Sequence, residues 1–101
     1  MVVAIFSIRM RPDAPTDEYG RDAARMNELV RTMPGFVSEK SYTSEDGEEI
    51  TLVTFEDEAS LDRWREHPEH RAVQQRAKER YYASYWVHVL KTVRRYEFPP
   101  R

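Results

Sequence analysis

The chain has 101 residues, 34% of them charged and 40% hydrophobic, with a formal net charge of −2 and no cysteine. That length fits a single domain over 1–101, and the missing thiol excludes disulfides, thiolate metal ligation and a cysteine nucleophile. Near-neutrality argues against non-specific nucleic-acid binding. No apolar run approaches the ~20 residues of a membrane span, and nothing resembles a signal peptide, so the expected location is the cytoplasm.

The charge is unevenly spread. Residues 1–60 carry 6 Lys/Arg against 13 Asp/Glu, and residues 61–101 carry 10 against 5. An acidic helix packed beside a basic one accounts for this most simply. A positive pocket for an anionic or enolisable ligand is the alternative.

Taken in order, Val2 to Met10 reads as a strand, with Ala4, Phe6, Ile8 and Met10 on one face and Val3 and Ile5 on the other. Pro12-Asp13-Ala14-Pro15 ends it, and Thr16 is the expected helix N-cap, followed by Asp17 and Glu18 in the first turn. Tyr19, Ala23, Met26, Val30 and Met33 recur at helical spacing and mark a buried stripe. Pro34-Gly35 stops the helix.

Phe36 to Thr43 and Glu49 to Glu56 flank a turn containing Asp46-Gly47, a hairpin signal. Apolar residues on both faces of this region predict a sheet covered on both sides. Asp57 caps a short helix carrying Leu61 and Trp64. Pro68 interrupts that helix and suits the first turn of another, whose inner face continues through Val73, Ala77 and Arg80 or Tyr81.

From about Ala83 to Phe98 the alternation of Tyr85, Val87, Val89 and Val93 with Trp86, His88 and Leu90 predicts a last strand. The order is β-α-β-β-α-β, an α+β ferredoxin-like sandwich. A final strand of about fifteen residues would span roughly 50 Å, against a diameter of about 33 Å for a domain of this size. Such a strand would overhang its own sheet. Pairing with a second copy would cover the overhang, so a homodimer with two sheets face to face is expected.

The segments Met33-Pro34-Gly35-Phe36, Ser60-Leu61-Asp62-Arg63-Trp64, His67-Pro68-Glu69-His70 and Tyr81-Tyr82-Ala83-Ser84-Tyr85 resemble the antibiotic biosynthesis monooxygenase (ABM) domain family, within the dimeric α+β barrel superfamily. The resemblance covers nearly the whole chain. It implies a dimeric α+β barrel and a cofactor-independent monooxygenase acting on a small aromatic, phenol- or quinol-like compound. Because the family also holds members of other activity, a non-catalytic ligand-binding or structural homodimer is the alternative.

An oxygenase of this kind needs an apolar cavity, an aromatic wall, a base, and donors for the developing oxyanion. Trp64 resembles the family tryptophan that lines the cavity. His70, three residues before Val73, is the candidate base or ligand-orienting donor. Tyr81, Tyr85, Trp86, His88 and Asn27 are candidate substrate contacts, and Arg80 or Arg94 could offset negative charge.

Each has a structural alternative. Trp64 lies at helical spacing from Leu61 and suits a core, tyrosines at a strand start can plug the barrel, and His88 suits a hydrogen-bonded core histidine. His67 and His70 sit at a metal-ligand spacing without a clear third ligand, and Pro68 between them makes His67 a helix cap instead. The haem-degrading branch resembles an Asn/Trp/His arrangement with asparagine on the first strand. Here that strand offers Ser7 and no asparagine, and His70 follows Trp64 too closely, so haem is not expected; the resemblance to the cofactor-independent members implies no other cofactor.

Overall fold

A computed structural model describes residues 1–100. Its elements are β1 (Val2–Met10), α1 (Thr16–Val30), β2 (Phe36–Thr43), β3 (Glu49–Phe55), α2 (Glu58–Glu66), α3 (Pro68–Arg80) and β4 (Tyr82–Lys91). The four strands form one antiparallel sheet in the order β2-β3-β1-β4. This is the expected α+β ferredoxin-like sandwich, with the second crossover split into α2 and α3 at Pro68. The dimeric arrangement lies beyond a single chain. No helix among the described residues is long and apolar enough to cross a membrane.

The sheet register separates two faces, because directly paired residues share a side. Val2 and Ala4 of β1 lie opposite Phe55 and Val53 of β3 and opposite Lys91 and Val89 of β4. Their side is the helix side: Val2, Val30, Val53, Phe55, Leu61 and Trp64 form the core, with Ala4, Met26, Leu29, Met33 and Phe36 packed against it. The other side carries Val3, Ile5, Leu52, Trp86, His88 and Leu90 and has no helix over it. Trp86 and Leu90 remain 41% and 45% exposed there.

Gly35 and Ser60 explain how β2 enters the sheet. Gly35 takes φ +81°, and a Cβ built on it would lie 2.2 Å from Ser60 Oγ. Only glycine permits both that backbone conformation and the close approach of the α2 N-terminus. Asp57 caps α2 by accepting the Ser60 amide at 2.8 Å, and the His67 ring caps α3 by accepting the Glu69 amide at 3.1 Å. The capping role expected of His67 is thus observed.

Three sequence expectations are corrected. Pro15, not Thr16, is the N-cap residue of α1, with no side-chain cap bond, and Thr16 is already helical. Ala23 is exposed and does not belong to the buried stripe, while Val30 is fully buried. The last strand stops at Lys91 rather than Phe98. Among the described residues its sheet neighbour is β1, and the last bond along that edge is the Thr92 amide donating to the Met1 carbonyl at 2.9 Å. Ten residues reach roughly 33 Å, well within the longest dimension of 45 Å. The overhang argument for a second copy therefore falls.

The charge split resolves into contacts between helices. Arg76 of α3 grips Asp22 of α1 through two bonds of 2.8 Å. Arg80 reaches Glu18 at 2.7 Å, and Arg25 reaches Glu69 at 2.6 Å in the reverse sense. These pairs align α1 with α3, although exposed pairs each contribute only ~0–1 kcal/mol.

Candidate functional site

The Trp64 side chain is held by α2 and the His70 ring by α3, and the break at Pro68 turns one helix so that the two rings meet. They stack with centroids 4.0 Å apart and planes inclined by 16°. Trp64 is only 6% exposed and belongs to the core, whereas His70 is half-buried.

Both ring nitrogens of His70 have partners. Nδ1 lies 3.1 Å from the Trp64 carbonyl oxygen, and Nε2 lies 3.3 Å from the Gln74 amide nitrogen one turn along α3. A carbonyl oxygen only accepts, so Nδ1 carries the proton and Nε2 presents its lone pair to the Gln74 N–H. Burial lowers the pKa of His70 to about 4, against the pull of the carbonyl bond, and His67 lowers it further. The imidazole is therefore neutral near pH 7 and offers one acceptor, not a donor.

A second aromatic group stands where β1 pairs with the start of β4. Phe6 lies 5.9 Å from both Tyr82 and Tyr85, and those two rings are 6.1 Å apart. Tyr85 shares the helix-facing side with Val87 and Val89, since they pair with Ile8, Phe6 and Ala4. These three are 42%, 47% and 55% exposed, so the helices leave the β4 side of the layer uncovered. Burial and the nearby Glu49 push Tyr82 up to about 12 and raise Tyr19 as well. Both phenols stay protonated. A cleft of about 310 Å³ opens beside this group, lined by Arg11, Lys78, Tyr82, Ala83, Ser84 and Tyr85.

Tyr81 is fully buried rather than facing an opening. Its hydroxyl donates to Asp22 at 2.5 Å, and its ring meets Tyr19 edge-on at 5.4 Å. Asp22 thus receives Tyr81 and Arg76 together, and Arg76 in particular holds its carboxyl below the usual range. Trp86 and His88 stand on the helix-free face, 4.6 Å apart. Asn27 is exposed on α1, where it donates to Glu39 of β2 and accepts from Arg31.

The structure therefore brings Trp64 to His70, Tyr85 to Phe6 and Tyr82 in a second group, and Trp86 to His88 on the helix-free face. Asn27 joins none of these groups. Arg80 is occupied by Glu18, and Arg94 lies beyond the end of β4. Gln74, Phe6 and Tyr82 were not among the candidates. Gln74 follows His70 by four residues, a spacing that places it beside the ring on one helix face. Among the described residues no group of three His, Cys, Asp or Glu side chains is placed to hold a metal ion.

Comparison with known proteins follows the same outline. A family model for antibiotic biosynthesis monooxygenase matches residues 1–76. The uncharacterized protein YqjZ of Bacillus subtilis is 36% identical over 76 residues, which is 75% of this chain and 67% of that protein. The solved structure of Rv0793 from Mycobacterium tuberculosis aligns with a TM-score of 0.81 at 25% identity, over 95% of this chain and 98% of that one. SnoaB, a cofactor-independent oxygenase from Streptomyces nogalater, aligns with a TM-score of 0.77 at 14% identity, over 98% and 97%, a likeness of fold.

Proposed function

This chain belongs to the antibiotic biosynthesis monooxygenase family, and from that premise we propose that it is a cofactor-independent monooxygenase acting, as a homodimer, on a small phenol or quinol. The observation that carries the reading is the Trp64–His70 stack, whose neutral imidazole lies in the helix layer that leaves Tyr85, Val87 and Val89 uncovered. An apolar strip with few polar groups suits a flat aromatic molecule.

The chemistry closes without an added reductant. A phenol with a free ring C–H reacts with dioxygen to give a quinone and water, the substrate supplying all the electrons. Reaction starts when the phenol loses its proton and the electron-rich anion passes an electron to oxygen. In this reading Nε2 of His70 exchanges the Gln74 N–H for the substrate hydroxyl and accepts its proton as the electron leaves. Protonated Tyr82 supplies a donor for the charge that builds on oxygen, and Trp64 holds the imidazole plane.

The homodimer is supported by the helix-free face, where Trp86 and Leu90 are exposed beside Val3, Ile5 and Leu52. A contiguous apolar face of this kind is normally covered.

Oxygen consumption with a panel of phenols and quinols tests the proposal, comparing wild type with Trp64→Phe and His70→Ala. Uptake is expected in wild type and a loss of about 100-fold in His70→Ala, the usual size of a proton-transfer contribution, with circular dichroism unchanged. No uptake from any compound, together with saturable quenching of tryptophan fluorescence, would leave a ligand-binding homodimer as the reading.

A further inference from the structure

The cleft at the C-terminal end of α3 has a chemistry of its own. Arg11 enters it from the residue after β1 and spends its guanidinium on main-chain oxygens. Its Nε donates to Tyr82 O at 3.0 Å, Nη1 to Glu79 O at 2.6 Å and Nη2 to Lys78 O at 2.9 Å. Its own amide donates to Tyr81 O at 2.8 Å. The last carbonyls of a helix are its negative pole. Here that pole is covered by a full positive charge, and no carboxylate among the described residues neutralises the charge in return.

Lys78 is the second cation. Its ammonium stands over the Tyr85 ring, 5.6 Å from the centroid, within the range of a cation–π contact. Neither Arg11 nor Lys78 has a carboxylate within ion-pair distance among the described residues, a condition shared by Arg21, Arg31, Lys40, Arg63, Arg71 and Arg94; these two differ in lining one cleft together. No acid lines the cleft. Glu79, the nearest in sequence, is engaged by the Gln75 amide at 2.9 Å. Tyr82 stays protonated and adds no negative charge.

Two uncompensated cations, two tyrosine rings and about 310 Å³ make a consistent set. The volume falls at the small end of ligand sites, ~300–1,000 Å³. We propose that this cleft binds a small aromatic carboxylate, its ring against Tyr85 and Tyr82 and its anionic group on Lys78 in the field of Arg11. Identifying that ligand as the substrate rests on the oxygenase reading. The binding itself does not.

The probes are 4-hydroxybenzoate and its neutral methyl ester, with affinity read by calorimetry and location by the amide shifts of Ala83 and Ser84. The acid is expected to bind about tenfold more tightly than the ester at low salt, since one close charge pair near a surface is worth that much. Lys78→Met is expected to abolish the preference while leaving the ester's affinity within about twofold. Lys91→Met, which breaks only the contact to Glu58, should leave the preference intact. Lys78 is exposed, so its variant folds; Arg11 is left in place because it ties α3 to β4.

Equal affinities in wild type, a preference that survives Lys78→Met, or shifts confined to other residues would overturn the proposal. A preference for the acid without oxygen uptake would keep this site and sink the oxygenase reading. Uptake on neutral phenols without any preference for the acid would do the reverse.

Discussion

Acidification below the ordinary histidine range should destabilise this protein through His70. In the unfolded chain the ring titrates near 6.5, and in the folded protein burial lowers it to about 4. Between those values the unfolded state binds a proton that the folded state refuses, so the equilibrium moves toward unfolding as pH falls. The contribution is fully present above about pH 6.5, declines through the window, and is gone below about pH 4. Some two and a half units at 1.36 kcal/mol each amount to about 3 kcal/mol, of the order of a quarter to a half of a typical domain's stability.

The comparison that isolates this term is His70→Phe, which keeps an aromatic ring against Trp64 but cannot titrate. Urea denaturation followed by tryptophan fluorescence, at about pH 7 and about pH 4.5, gives both stabilities. The variant is expected to be the less stable at neutral pH, having lost the bond to the Trp64 carbonyl. The gap should narrow by about 2 kcal/mol or more at the lower pH, because only wild type bears the cost of charging a buried ring. Every other residue is the same in both proteins, so the difference between the two curves isolates His70. Curves that run parallel across the window would refute the claim that His70 is buried neutral, and with it the assignment of Nε2 as the acceptor of the Gln74 N–H.

Gly35→Ala and Gly47→Ala separate backbone strain from crowding, since both residues have positive φ but only Gly35 faces Ser60. Thermal melts should show a cost of about 1 kcal/mol for Gly47→Ala and at least double that for Gly35→Ala; equal costs would mean that Ser60 moves aside freely. Leu90→Asp places a charge on the helix-free face at a residue that is 45% exposed, so the fold should survive. Sedimentation should find wild type dimeric at micromolar concentration and the variant monomeric, and a monomeric wild type would remove the dimer from the proposed function.

Much of this architecture is legible in the chain because its signals are local. Alternation in Val2–Met10, helical spacing through Met26 and Val30, the Asp46-Gly47 turn and the break at Pro68 each involve residues a few positions apart. Each signal reappears as an element with the expected neighbours. The pairing of His70 with Trp64 was half legible, as both were named, but the 4.0 Å stack depends on how Pro68 redirects the helix. Residues at the rim of a stripe were not legible. Asn27 is adjacent to half-buried Met26, yet one position rotates a helical side chain by about 100°, enough to send it to Glu39 at the surface.

Element order, the hairpin and the caps at Asp57 and His67 were determined by the amino-acid sequence itself, since each is a contest between neighbouring residues for backbone hydrogen bonds. Tertiary structure alone decided where β4 ends, because a strand lasts only as long as its pairing: the register with β1 runs to Lys91, although the sequence pattern reads as strand to Phe98. It also decided that Tyr81 is a buried anchor for Asp22 while Tyr85, four residues later, stays 42% exposed. The state of His70 belongs to the same class. Its neutrality follows from the Trp64 ring, the Trp64 carbonyl and the Gln74 amide converging on one imidazole, a three-dimensional coincidence that no window of sequence spells out.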